Sequence, residues 1–182
     1  TSCPAGTTND AGDDASSDVD TACDATLCGD NERVVLHQCV SCPPGAIMDS
    51  GNDASGADTE CDAISCASDQ YVSNHKCTVC PPGTTREAGD NALGVNTACD
   101  RILCAANKRV VNHVCVTCPA GTTNDRDDDA SSAEDTECDP TICAANQFVS
   151  GHVCRSCPAG TTNDARDDAS GANTACAPIW CG

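Results

Sequence analysis

The chain has 182 residues, of which 19 are cysteine, with a single Trp, Tyr, Phe and Met and a formal charge of −19. So few large apolar side chains cannot build an ordinary core, and cross-links must replace it. The acidic balance argues against nucleic acid and anionic membrane surfaces as partners. Dense, regularly spaced cysteine reads as disulfides made in an oxidising compartment, so the chain is expected to be extracellular or at the cell surface. It shows no signal peptide, no bilayer-spanning apolar run and no anchor signal, and whatever secretes or tethers it is expected outside these residues.

Taken in order, residues 1–27 form a partial repeat. Thr1-Ser2-Cys3-Pro4 matches Val40-Ser41-Cys42-Pro43, so the chain is expected to begin in mid-module and to be a slice of a longer array. A cysteine ladder then starts at Cys28, Cys66, Cys104 and Cys143 and again at Cys181, with starts 38, 38, 39 and 38 residues apart. This divides the chain into repeats 28–65, 66–103, 104–142 and 143–180, with 181–182 opening the next. A period of this size signals an array of small modules, each touching its neighbours, rather than one globular core.

Each repeat opens on a short segment carrying Val34, Val72, Val110 or Val149 and then, in the later three, Asn74-His75, Asn112-His113 or Gly151-His152. Extended residues around an Asn or Gly turn predict a small β-hairpin running into Cys-x-x-Cys. An acidic loop follows, as in AIMDSGNDASGADTEC before Cys61. Asp53-Ala54-Ser55-Gly56 and Asp168-Ala169-Ser170-Gly171 suit type I turns, with the Asp carboxylate bonding back to the backbone. The two longer loops differ there, at Ser16-Ser17-Asp18 and Ser131-Ser132-Ala133, which marks the turn as a solvent-facing tip. Helical periodicity is absent beyond one turn per loop.

Four cysteines per unit allow three local pairings. The expected set is Cys28–Cys39, Cys66–Cys77, Cys104–Cys115 and Cys143–Cys154 across the hairpins, with Cys3–Cys23, Cys42–Cys61, Cys80–Cys99, Cys118–Cys138 and Cys157–Cys176 around the loops. It leaves Cys181 unpaired within the chain. The alternative is a crossed quartet, Cys39–Cys61 with Cys42–Cys66, which would orphan Cys23.

Two metal readings stand beside plainer ones. His37, His75, His113 and His152 all lie two residues before the first Cys of a Cys-x-x-Cys, which suggests zinc, with Cys61 and Cys66 completing a quartet, or else a turn or packing histidine or a pH-sensitive contact between repeats. In the acidic loops, oxygen-bearing side chains recur at four places. They are Asp10, Asp13, Asp14 and Asp20; Asp49, Asn52, Asp53 and Asp58; Glu87, Asp90, Asn91 and Asn96; Asp125, Asp128, Asp129 and Asp135; Asp164, Asp167, Asp168 and Asn173. Calcium takes six to eight such oxygens, although the spacing is not that of an EF-hand. The plainer reading is turn formation and solubility.

No catalytic constellation is present. There is no Gly-x-Ser-x-Gly, no phosphate loop and no cysteine apart from the ladder, so the chain is not expected to be an enzyme. No Asn-x-Ser/Thr sequon occurs, and any glycan is therefore expected to be O-linked at Thr or Ser, or on a modified proline.

The stretch CASDQYVSNHKCTVCPPGTT resembles the cysteine-rich modules of tumour-necrosis-factor-receptor-like ectodomains. The period, the recurring Cys-Pro-Ala-Gly-Thr-Thr and the Ala/Thr/Ser/Asp-rich loops are more similar to the cysteine-periodic surface proteins of protists, such as ciliate immobilization antigens and related algal repeats. Receptor modules usually carry six cysteines and more aromatic residues, so their ligand-binding role is not carried over. The expected fold is small, disulfide-rich and mostly irregular with short β-hairpins, a linear array forming an extended rod. The expected function is structural, in a protist surface coat or filament that self-associates. The alternatives are a receptor-like or adhesin ectodomain binding a protein or glycan, and a calcium-dependent surface antigen. Self-association is expected through apolar patches at Val34, Val35, Leu36, Val110 and Val111, with Ile47, Ile64, Leu93, Ile102, Leu103, Ile142 and Ile179 beside the cysteines.

Overall fold

The structure, a computed structural model, describes residues 2–9 and 21–180. Asp10, Asp13, Asp14, Asp20 and Cys181 lie outside the described residues. The chain groups into two compact units, one of Thr1–Cys80 with Arg86–Cys99 and one of Pro81–Thr85 with Asp100–Gly182. Among the described residues the regular structure is all antiparallel two-stranded ladders, with no helix.

Every full repeat begins with a hairpin: Glu32–Val35 with Gln38–Ser41, Gln70–Ser73 with Lys76–Val79, Lys108–Val111 with Val114–Thr117, and Gln147–Val149 with Cys154–Ser156. Two-residue turns join the strands, and both turn residues have positive φ: Leu36 and His37 at 49° and 63°, Asn74 and His75 at 49° and 60°, Asn112 and His113 at 48° and 63°, Gly151 and His152 at 60° and 63°. That is the type I′ geometry, whose twist matches the twist of the strands. A shorter ladder ties off each loop, pairing Thr7–Thr8 with Asp24–Ala25, Ala46–Ile47 with Asp62–Ala63, Thr84–Thr85 with Asp100–Arg101, Thr122–Thr123 with Asp139–Pro140, and Thr161–Thr162 with Ala177–Pro178.

Nine disulfides join Cys3–Cys23, Cys28–Cys39, Cys42–Cys61, Cys66–Cys77, Cys80–Cys99, Cys104–Cys115, Cys118–Cys138, Cys143–Cys154 and Cys157–Cys176. The hairpin bridges span 11 residues and the loop bridges 19 or 20. Loops of this size contribute roughly 3 kcal/mol each in the chain-entropy account.

Very little else is buried. The core of a module is one half-cystine, one valine and one alanine: Cys28, Val34 and Ala54, then Cys66, Val72 and Ala92, then Cys104, Val110 and Ala130, then Cys143, Val149 and Ala169. In the first, third and fourth modules these three pack together with the hairpin's second cysteine, Cys39, Cys115 or Cys154. A buried valine contributes about 1.5 to 3 kcal/mol. Two disulfides per module therefore outweigh the apolar core, as the composition requires.

Candidate functional site

Val34 and Val110 correct the sequence reading. Both are fully buried, not parts of an outward patch. The register explains it, because Val34 pairs with Cys39 and Val110 with Cys115, which puts each valine on the hairpin face that holds the disulfide. Val35 and Val111 on the opposite face are half-buried, and only Leu36, at the turn, is 79% exposed. Ile47, Ile64, Leu93, Ile102, Leu103, Ile142 and Ile179 are all exposed.

The acidic loop folds back over the hairpin of its own module, and its recurring oxygens have separate partners there. The third one closes the tip: Asp53 Oδ1 accepts from the Ser55 amide at 2.8 Å and from its hydroxyl at 2.7 Å, and Asp129 with Ser131 and Asp168 with Ser170 repeat the pattern. Those bonds hold the carboxyls of Asp53, Asp129 and Asp168 below the ordinary aspartate value, the serine hydroxyl being the largest cause. Asn91 makes the same turn, accepting from the Leu93 amide at 2.9 Å. The fourth oxygen caps the hairpin turn, where Asp58, Asn96, Asp135 and Asn173 accept from the amides of Leu36, Asn74, Asn112 and Gly151, each at 2.8 Å.

The second oxygen binds a threonine hydroxyl. Thr97 donates to Asp90 Oδ2 at 2.6 Å, and Thr136 and Thr174 donate to Asp128 and Asp167. Asp90 is also gripped by Arg86 in two bonds of 2.9 and 3.0 Å, and Arg86 is the first cause of its lowered pKa. In the next two modules Asn124 and Asn163 replace that arginine, each donating to its aspartate at 2.6 Å. In the first module Asn52 donates instead to the Asp49 carbonyl at 3.0 Å. Side-chain oxygens of Glu87, Asp125 and Asp164, at the first place, are not drawn into these contacts. Among the described residues no three His, Cys, Asp or Glu side chains come together as a group able to hold a metal ion.

Each histidine has a single task. Its Nδ1 carries the proton and donates to the alanine carbonyl of its own loop: His37 to Ala54, His75 to Ala92 and His152 to Ala169 at 3.0 Å, and His113 to Ala130 at 2.9 Å. The cysteines beside these histidines are consumed in disulfides, which leaves no thiolate for zinc.

Sequence reasoning missed the residues that join these parts. Thr59, Thr97, Thr136 and Thr174 accept from the core valine amide through Oγ1 at 2.9 Å and return their own amide to the same valine's carbonyl at 3.0 Å. Their signal was available, since a threonine stands two residues before the loop-closing cysteine in all five loops.

The second omission is the joint between modules. The glycine of Cys-Pro-x-Gly has φ between 73° and 88° at Gly6, Gly45, Gly83 and Gly121. A Cβ on any of them would overlap the carbonyl of an alanine in the following module, Ala54, Ala92, Ala130 and Ala169 respectively. The joint is therefore a close backbone approach that glycine alone permits. The alanine carbonyl thus has two neighbours, the histidine of its own module and the glycine of the preceding one. Gly160, with φ of 80°, has no atom within 4 Å of that position.

Two open clefts adjoin these parts. One of about 430 Å³ lies at the first joint, between Gly6 and the turn at Leu36 and His37. The other, of about 800 Å³, lies in the second module between its hairpin turn and its loop tip. No helix of the described residues is long and apolar enough to cross a membrane. Nine disulfides in so short a chain mark an extracellular, disulfide-stabilised protein. No protein-family model, no curated protein and no solved structure matches the chain.

Proposed function

We propose that this is a structural repeat protein of a protist cell surface, a building element of an extracellular coat or filament that self-associates. The observation that carries the reading is the joint. Four glycines in corresponding places seat four alanine carbonyls in corresponding places, so successive modules are coupled by one contact repeated along the chain. Modules coupled this way transmit load from one to the next without a shared core, which suits a coat or filament. Exposed Leu27, Leu103 and Ile142, each just before the first cysteine of a repeat, offer apolar side chains to neighbouring chains at three of the four repeat starts, with Ser65 at the other. The acidic loops keep chains apart where they do not touch.

Electron microscopy and sedimentation of the full chain with its native disulfides test this. Filaments or sheets are expected as concentration rises. A monodisperse monomer at high concentration overturns the reading and moves a receptor-like or adhesin ectodomain ahead of it.

A further inference from the structure

We infer that the loop tip of the second module is the place where two copies of this chain meet, in a two-fold contact centred on Leu93 and Val95. This presupposes the assembly proposed above and assigns it a site.

Charge singles out this tip. The loop from position 91 to 99, NALGVNTAC, contains no carboxylate. The corresponding stretches contain Asp53, Asp58 and Glu60 in the first module, Asp129, Glu134, Asp135 and Glu137 in the third, and Asp168 in the fourth. In a chain of net charge −19, two copies approaching through any of those tips bring carboxylates together. Through the second tip they do not. The one formal charge on its hairpin end is Lys76, whose long stem can keep the ammonium in water.

Shape and chemistry agree with charge. Where the loops of the other full repeats place Ser-Gly-Ala or Ser-Ser-Ala, this one places Leu93-Gly94-Val95. Val95 is 83% exposed and Leu93 38%. They border the cleft of about 800 Å³ whose other walls are Asn74, His75, Gly94 and Asn96. The Oδ1 of Asn96 is taken by the Asn74 amide, while its Nδ2 has no partner among the described residues. A carboxamide offers both donors and an acceptor, so Asn74 and Asn96 can pair with the same groups of a second copy. Asp58 and Asp135, at the place of Asn96, can only accept. A two-fold contact demands such self-complementarity, with the Val95 of each copy seated in the cleft of the other.

The test is sedimentation equilibrium of the full chain beside two variants. Val95→Asp puts a carboxylate into the contact, and Ala57→Asp puts one at the corresponding position of the first module. The wild type and Ala57→Asp should dimerise with equal affinity, and Val95→Asp should weaken the dimer at least about tenfold. Asn96→Asp should weaken it in the same direction. Equal dimerisation by all variants, equal loss in both Asp variants, or a wild type that never dimerises overturns the contact. Filaments of Val95→Asp indistinguishable from wild type overturn the contact and leave the array reading in place. Dimers that form through this tip without filaments keep the contact and overturn the array reading.

Discussion

The Nδ1 of His75 donates to the carbonyl of Ala92 at 3.0 Å, across 17 residues of sequence, and the same carbonyl seats Gly45 of the preceding module. One backbone oxygen thus joins the turn of a hairpin, the tip of a loop and the neighbouring repeat. Replacing His75 by Asn isolates the bond, since Asn tolerates the positive φ of the turn but is too short to reach. The loss should be about 1 to 2 kcal/mol, measured by thermal or denaturant unfolding with the disulfides intact.

Gly83 and Gly121 should tolerate no side chain. Ala at either position meets a backbone carbonyl of the following module, which cannot yield as a flexible side chain could. Ala at Gly160 meets only the cost of its positive φ, about 1 kcal/mol. Unfolding of Gly121→Ala beside Gly160→Ala checks this, and a cost for Gly121→Ala no greater than for Gly160→Ala would remove the joint.

Leu36 is out of place in its turn. It holds φ of 49° while 79% exposed, in a position filled by Asn74, Asn112 or Gly151 in the other modules. Leu36→Asn should raise stability by up to about 1 kcal/mol, because Asn adopts the left-handed conformation at lower cost than Leu and no buried contact is removed. Arg166→Gly should act in the same direction, since Arg166 has φ of 98° where Gly51 and Gly89 stand in other modules.

Acid should open three of the loop tips and spare one. The carboxyls of Asp53, Asp129 and Asp168 are held below their ordinary value of 3.8 by the serine hydroxyls and amides they accept from. Their contribution is present above that ordinary value and is lost as pH falls through the lower, folded one. Asn91 carries no proton to gain. The amides of Ser55, Ser131 and Ser170 should lose exchange protection below about pH 3.8, whereas that of Leu93 should keep it at its own tip. Asp90, lowered first by Arg86, should release that arginine over the same range.

Chelation should leave the melting curve unchanged. The oxygens of Asp53, Asp58, Asp90, Asp128, Asp129, Asp135, Asp167 and Asp168 already accept hydrogen bonds in the folded loops. A cation bound only by the folded state would raise the melting temperature by mass action. Calorimetry with and without chelator decides it, and a drop on chelation would favour the loops as calcium sites.

Cysteine spacing alone determined the class of this molecule. Nineteen cysteines at a fixed period, with almost no aromatic residues, leave disulfide-closed loops as the available source of stability. The hairpins were legible for a local reason, since Asn-His and Gly-His between extended segments favour the positive φ that a two-residue turn demands. The Asp53 tip was legible as well, because its bonds run to a residue two positions away. What only the tertiary structure decided is where distant groups meet. Val34 became core because its register sets it beside the Cys28–Cys39 bridge. Thr59 became the clasp of the loop because its backbone comes to lie against Val34, 25 residues earlier. The glycine of Cys-Pro-x-Gly became a joint because the next module sets an alanine carbonyl where a side chain would have to go. Each of these depends on how the loop folds back in space, which spacing along the chain does not encode.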